Sequence, residues 1–455
     1  MKVKAITRSD DDYKRDRKSD VHKIQRNYDP VLHPFERERE YTRALNATKL
    51  ERMFAKPFLA ALNGHSDSVY CMAKHAKDLQ LVVSGSGDGE LRAWRINERN
   101  CFWNTAGHRG TVKGVCIMPN TSQFISVGVD KIAKIWTMSE SRQPAYTYHG
   151  KGAFTGVDHH RSDPLFATSG SVIDLWDVNR SEPINTFEWG ADTINAVKFN
   201  QTETNIIASC GTDRAIALYD IRTRTPLHKL FLQFHSNALS WNPMEAYNFV
   251  VANEDHNCYQ FDMRNFSKAV VAYTDHVSAV MDIDFSPTGD QFVTGSYDRT
   301  VRIYNTKSPK SKDAYHTKRM QRVFAVKFTM DSKYVLSGSD DTNIRLWKAD
   351  ASERLGVRNN RERTYLAYSE KLKEKYAHLP EIRRISKHRF LPTDIKKATA
   401  TKGVMLESRR IKELNRLNNQ KKIRNPKMAT KNAKKALPEQ KPKSLKQKII
   451  LRSET

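Results

Sequence analysis

The sequence predicts an all-β fold, a seven-bladed β-propeller with basic, partly helical extensions at both ends. Three observations predict it: a hairpin pattern repeating at a fixed period, an Asp at a fixed place in that hairpin, and a net charge confined to the ends. The pattern is LVVSGSGDGELRAW at 81–94. It recurs as ISVGVDKIAKIW (125–136), FATSGSVIDLWD (166–177), IASCGTDRAIALYD (207–220), VVANEDHNCYQFD (250–262), FVTGSYDRTVRIY (292–304) and VLSGSDDTNIRLW (335–347). The closing aromatic residues Trp94, Trp136, Trp176, Tyr219, Phe261, Tyr304 and Trp347 are 42, 40, 43, 42, 43 and 43 residues apart.

Each copy reads as a strand, a tight turn and a second strand. In six copies an Asp stands six residues before the aromatic: Asp88, Asp130, Asp213, Asp255, Asp298 and Asp341. An Asp in a tight turn accepts hydrogen bonds that lock the turn against its neighbour. Spacing and residues together resemble WD40 repeats, a family that links this Asp to an upstream His, a strand Ser or Thr and the aromatic. The resemblance implies structural sets of His65, Ser84, Asp88 and Trp94 in the first blade and His108, Ser126, Asp130 and Trp136 in the second. It implies a variant set of His276, Thr294, Asp298 and Tyr304 in the sixth, and gives Asp213, Asp341 and Trp347 the same structural role. The third copy lacks the Asp, which predicts a shortened turn. The fifth and seventh lack the aligned His, so other contacts are expected to hold their loops.

Gly85, Gly87 and Gly89 raise the alternative of a phosphate-binding loop. Such a loop needs a helix N-terminus directly after the glycines, where N–H groups and helix dipole meet the anion. ELRAW is a strand pattern instead, so the stretch reads as a turn. PFLAAL (57–62), just before the first repeat, reads as a leftover strand that completes the seventh blade and closes the ring over 57–348.

The formal charge is +26. Residues 349–455 carry +19 and residues 1–56 carry +5, leaving +2 for the ring. This points to a polyanionic partner such as nucleic acid, met by the extensions. The five cysteines, Cys71, Cys101, Cys116, Cys210 and Cys258, are widely spaced without a C-x-x-C pair, which indicates neither a disulfide framework nor a zinc site. There is no signal-peptide core and no run of apolar residues long enough to span a bilayer. The expectation is a soluble intracellular protein with no membrane partner, no cofactor and no metal.

The C-terminal extension has three parts. In RERTYLAYSEKLKEKYAHL, Tyr365, Tyr368, Leu372, Tyr376 and Leu379 fall at spacings of three and four, an amphipathic helix. Docking of this stripe on the propeller is favoured over stacking on nucleic acid. Arg383, Arg384, Lys387, His388 and Arg389 follow within seven residues. So dense a cluster repels itself unless an anion is near, and it is the first candidate for RNA or an acidic partner surface. VMLESRRIKELNRL, with Ile411, Leu414 and Leu417, predicts a second helix and ends a basic helical region at 349–417. Arg409, Arg410, Lys421 and Lys422 join the candidate RNA or acidic-partner residues. Residues 418–455 read as a disordered, lysine-rich tail resembling a nuclear or nucleolar localisation sequence.

Both extensions resemble the Sof family, WD-repeat and Sof-domain proteins of the small-subunit processome. The matching words are NYDPVLHPFE (27–36), YTRALNATKLERMFAKPFLAALNGH (41–65), ASERLGV (351–357), KLKEKY (371–376) and RRISKHRFLP (383–392), with DHVSAVMDIDFSPTG (275–289) and SKYVLSGSDDTNIRLWKA (332–349) in the ring. The resemblance covers about 1–420. It implies a non-enzymatic component of the U3 small nucleolar ribonucleoprotein (U3 snoRNP) and the 90S processome, acting in nucleolar processing of pre-ribosomal RNA to 18S rRNA. Its implied partners are pre-ribosomal RNA and processome proteins in a large assembly, with no small-molecule substrate.

The resemblance carries a second implication, substrate receptor of a cullin-RING ubiquitin ligase, through an Asp-x-Arg pair at a strand end. Asp220 with Arg222 and Asp262 with Arg264 offer such pairs, though Tyr and Phe replace the usual Trp. A generic nuclear interaction platform is the third reading. His159 and His160 with Asp158 and Asp163 suggest a metal site, but no further ligand has sensible spacing, and a surface loop is expected. No nucleophile motif is found, and enzymatic activity is not expected.

Overall fold

The structure, a computed structural model, describes residue 18 and residues 29–119, 121–138, 142–189, 192–223, 225–424 and 449–454. The chain divides into two compact units, residues 1–57 with 350–389 and residues 58–349 with 390–455.

In the larger unit, seven antiparallel sheets form the blades of a propeller. Blade 1 runs through Val69–Lys74, Leu81–Ser86, Glu90–Arg95 and Asn100–Ala106, and the next five blades repeat that order. The second strand of blade 1 is buried at every position. It is sandwiched between neighbouring blades, which is why LVVSGS alternates only between apolar and small residues and carries no charge. Facing blades share their cores: Leu91, Ala93 and Trp103 of blade 1 pack with Val112, Val115 and Trp136 of blade 2. Gly85 lies at this junction, where an added Cβ would sit 2.6 Å from Val112 Cγ1 and 2.8 Å from Cys71 Sγ.

Blade 7 is composite. Phe58–Leu62 pairs antiparallel with Ile344–Lys348, the third strand of the blade, so the segment before blade 1 supplies the outermost strand of blade 7. Leu62 is 1% exposed and packs with Val69, Trp94, Leu336 and Leu346, which join the first blade to the last.

The repeated Asp opens a turn whose next residue takes a left-handed conformation, at Gly89, Lys131, Arg214, His256, Arg299 and Thr342, with φ between 62° and 88°. The carboxylate accepts from the amide two residues on, as Asp213 does from Ala215 (3.0 Å) and Asp298 from Thr300 (2.9 Å). This local bond holds L-residues in a conformation they otherwise avoid. Gly89 has a further reason to be glycine: a Cβ there would collide with the His108 carbonyl oxygen of the next blade. In blade 3 the last strand pair before the turn, Ser169 with Ile173, encloses three residues, whereas Gly85 with Leu91 in blade 1 encloses five.

The smaller unit holds helices α1 (Glu36–Met53), α2 (Asn360–Lys375) and α3 (Pro380–Lys387). Ala44, Leu372 and Ile382 form its core, with Tyr41, Leu45 and Tyr376 packed against them. Pro380 at the first turn suits a helix start, since its missing N–H would have no partner there.

The larger unit also contains α4 (Thr393–Arg424) and a terminal strand, Ile450–Glu454. That strand pairs antiparallel with Thr225–Leu232, making blade 4 five-stranded. The expectation of disorder from residue 418 is therefore corrected at both ends: α4 continues to Arg424, and the aliphatic Ile449 and Ile450 find an apolar edge. The lysine-rich stretch 425–448 lies outside the described residues. The basic region expected as one piece at 349–417 is likewise divided, residues 350–389 going with the N-terminal helix and residues from 390 with the ring.

Candidate binding surfaces

The ring owes its stiffness to buried polar links between its turns and strands. In blade 2, His108 Nδ1 lies 3.0 Å from Asp130, and its Nε2 lies 2.7 Å from Ser126 Oγ, which also accepts from Trp136 Nε1 at 2.8 Å. In blade 6, His276 bridges Asp298 (2.8 Å) and Thr294 (2.7 Å), but the buried Tyr304 hydroxyl finds no hydrogen bond. Blade 1 departs from the implied set. His65 reaches Ser84 Oγ (2.6 Å), which accepts from Trp94, while Asp88 turns outward to Ser66 and Ser86. His65 Nδ1 faces Glu90 at 3.6 Å without a hydrogen bond.

Where the His is missing, residues of the turn itself or of neighbouring strands hold the Asp. Tyr259 Oη (2.5 Å) and Asn257 (3.0 Å) donate to Asp255, and Arg345 Nη1 (3.0 Å) donates to Asp341. Asp213 pairs with the buried Lys229 at 3.2 Å. Tyr259 and Arg345 sit four residues after their Asp, a spacing that reads in sequence only as ordinary strand alternation.

These histidines make the ring acid-sensitive. Burial pushes His65 down to about 4, and the Arg92 charge adds to the effect against the pull of Asp88. Burial also lowers His108 and His276, against the pull of Asp130 and Asp298. The unfolded chain takes up these protons near pH 6.5 while the folded ring resists them. Stability is therefore full above that pH and falls as pH drops toward 4, with His65 alone contributing about 3 kcal/mol. Thermal melts at successive pH values should show this decline, and a flat melting temperature down to about pH 4.5 would rule it out.

The basic cluster sits on and just after α3. Arg383, Arg384, Lys387 and His388 are exposed, whereas Arg389 is half-buried and donates to the carbonyls of Ser386 (2.7 Å) and His388 (3.0 Å). No carboxylate among the described residues pairs with Arg383, Arg384 or Lys387. Arg384 and Lys387 also complement the helix C-terminus. Arg383, Lys387 and Lys373 line a cleft of about 350 Å³ with Thr48, Ser386 and Glu51, and that carboxylate is already paired with Lys373 at 2.9 Å. Three cations against one committed acid make the cleft suited to an anion.

The aromatic stripe of α2 docks on α1, correcting the expected docking on the ring. Leu372 is buried against Ala44, and Tyr376 packs against Tyr41 and donates to Glu40 at 2.8 Å. Tyr368 accepts from Arg43 (3.3 Å), and Tyr365 stays 59% exposed. Docking on another helix looks the same in sequence as docking on a ring, since an amphipathic face does not name its partner.

On α4, Ile395 is buried and Lys402 is half-buried, donating to the His276 carbonyl (2.7 Å) and, at 3.4 Å each, to the Thr274 carbonyl and Asn257 Oδ1. Nothing in the sequence distinguished Lys402 from its neighbours. Beyond it Val404, Met405, Leu406 and Ile411 are exposed. Arg410 forms an exposed pair with Glu407 at 3.4 Å, and Arg409 is exposed. Lys421 and Lys422 fall in the last turn of α4, and their side chains lie outside the described residues.

Asp220 and Asp262 end the third strands of blades 4 and 5. Asp262 is closed by a bidentate fork from Arg264 (3.1 and 2.9 Å), whose guanidinium also lies 4.3 Å from the Tyr247 ring centre. Arg222 is looser: its side chain is 72% exposed and 3.8 Å from Asp220. The expected surface loop at 158–163 is narrowed to 160–163, between the first two strands of blade 3. Asp158 and His159 belong to the first strand of blade 3, and Asp158 pairs with Lys198 at 2.8 Å. His160 is 2% exposed and accepts from the Asp163 amide (3.0 Å), as Asn200 accepts from the Thr202 amide in blade 4. Among the described residues no cluster of His, Cys, Asp or Glu is arranged to hold a metal, and no helix is long and apolar enough to cross a membrane. Burial pushes the thiols of Cys71, Cys116 and Cys210 up to about 12, far from thiolate reactivity.

A Sof1-like domain is matched at residues 349–436, and the WD domain, G-beta repeat, at 56–95, 99–137, 181–220, 267–305 and 314–348. The two blades between matches are the third, with its short turn, and the fifth, with its Asn and Tyr in place of His. The chain is 48% identical over 443 residues to Protein SOF1 of Saccharomyces cerevisiae, covering 91% of each chain. It is 51% identical over 421 residues to DDB1- and CUL4-associated factor 13 of Xenopus tropicalis, covering 91% of this chain and 95% of that one. To the Homo sapiens protein of the same name it is 49% identical over 426 residues, covering 92% and 96%. A seven-bladed ring, a basic helical region after it and likeness along nine-tenths of the chain lead to one conclusion: the chain belongs to the Sof1 family of WD-repeat proteins.

Proposed function

We propose that this protein is a non-enzymatic scaffold of the small-subunit processome and U3 snoRNP, required for processing pre-ribosomal RNA to 18S rRNA and working in the nucleolus. The carrying observation is the division of labour in one chain: a ring near neutrality, built from linked blades, and α3 cations that no carboxylate among the described residues neutralises. RNA phosphate is the abundant anion that suits them. The exposed apolar residues of α4 support a large assembly, since a helix with so little packing of its own needs a partner to bury them.

Charge reversal at Arg383, Arg384 and Lys387 should release the protein from pre-ribosomal particles in gradient sedimentation without altering its melt. Arg389 is the wrong target, because its guanidinium is engaged with backbone carbonyls. If RNA is the partner, the salt dependence of binding should lose about 2 log units per log unit of salt for three contacts. Unchanged sedimentation of the triple variant would sink the RNA assignment.

A second reading, ubiquitin-ligase receptor, is favoured by the exposed Arg222 and by the name of the animal relatives, DDB1- and CUL4-associated factor 13. Capture of the DDB1 adaptor should then be lost in Arg222→Ala or Arg264→Ala while particle association persists.

A further inference from the structure

The outer strand of blade 4, Thr225–Leu232, has eight residues, while those of the other blades have three to seven. It is also the one outer strand, among the described residues, that carries another strand on its edge. An uncovered edge of this length is a template for strand addition. Its cover is slight. Lys229, Leu230, Phe231 and Leu232 pair with Glu454, Ser453, Arg452 and Ile450, and Gln233 N donates to the Ile449 carbonyl at 3.0 Å. Ile449 is 1% exposed against a cluster holding Leu230, Leu232 and Phe266, and Ile450 is half-buried beside it. One fully buried aliphatic side chain and a short ladder must offset the lost backbone and side-chain freedom of six residues. The balance favours the cis strand only modestly, about ten-fold, so the cover can be exchanged.

We propose that the edge of blade 4 is a strand-addition site for an extended segment of a partner protein bearing two adjacent aliphatic residues, and that residues 449–454 fill it in cis until that segment displaces them. The aliphatic pair enters the pocket beside Leu230 and Leu232, and the main chain extends the ladder. Covalent attachment gives the cis strand an effective concentration on the order of millimolar, which a partner segment must exceed.

The test uses the full chain, a chain ending at Lys448, and a full chain carrying Ile449→Asp and Ile450→Asp. The probe is a fluorescent peptide of residues 446–455, read by anisotropy, with the same peptide carrying both Asp substitutions as control. Both altered chains should melt close to the unaltered protein and bind the peptide about ten-fold more tightly than the full chain, whose own strand competes. The control peptide should not bind. Hydrogen exchange should report Leu230 and Leu232 amides loosened in the altered chains and protected again by peptide. Failure of both altered chains to fold shows an integral strand and overturns the proposal. Folded altered chains that ignore the peptide, or that bind the control equally, overturn it as well.

Discussion

Leu62→Asp is expected to abolish cooperative folding of the ring. Leu62 ends the segment that closes blade 7 and lies against residues of both the first and last blades. Removing a fully buried leucine forfeits about 1.5–3 kcal/mol, and an unpaired carboxylate in the same place adds a desolvation cost of several more. The sum approaches the whole stability of a domain, about 5–15 kcal/mol. The damage also spreads, because a ring that cannot close exposes sheet edges on two blades. Circular-dichroism melting and size-exclusion chromatography are the checks. A variant that elutes as a compact monomer and melts within a few degrees of the parent would show that the N-terminal strand is dispensable.

Asp298→Ala should destabilise the ring by about 3–5 kcal/mol, whereas Asp88→Ala at the equivalent place should cost about 1 kcal/mol. The two positions are interchangeable in the repeat pattern but not in the fold. Asp298 is 9% exposed; His276, Thr300 and the Thr300 amide all converge on it, and removing it strands buried donors. Its carboxyl is held well below the usual range, because the bonds and charges of His276 and the Arg302 charge outweigh the opposing effect of burial. Asp88 and Ser66 are exposed, so Ser66 can turn to water, and the buried Ser86 hydroxyl is the one buried side-chain donor that removal of Asp88 strands. Paired chemical denaturation curves give the comparison. Equal losses at the two sites would mean that the turn bond alone, common to both, carries the energy.

Much of the ring was legible because its signals are local and repeated. Six aspartates at one offset from an aromatic residue describe six turns, and alternation on either side describes their strands. The candidate surfaces were legible only as chemistry. Five basic residues announced an anion site, but their sequence spacing could not reveal that Arg389 bends back onto the end of α3 while Arg383 and Lys387 line a cleft with Lys373. The stripe of Tyr368, Leu372 and Tyr376 announced a buried helix face without naming α1 as its partner.

The sequence by itself determined the number of blades, the place of each turn, the segment that closes the circle and the separation of charge from ring, since each follows from periodicity or composition along the chain. Only the tertiary structure decided that Asp88 turns outward from His65 to Ser66, that Lys402 rests on the carbonyls of Thr274 and His276, and that Ile449 returns to the edge of blade 4. These contacts join residues from about twenty to more than two hundred positions apart, and their geometry depends on how packed elements meet. No local pattern carries that information, because the energy of such a contact belongs to the pair and exists only once both partners are in place.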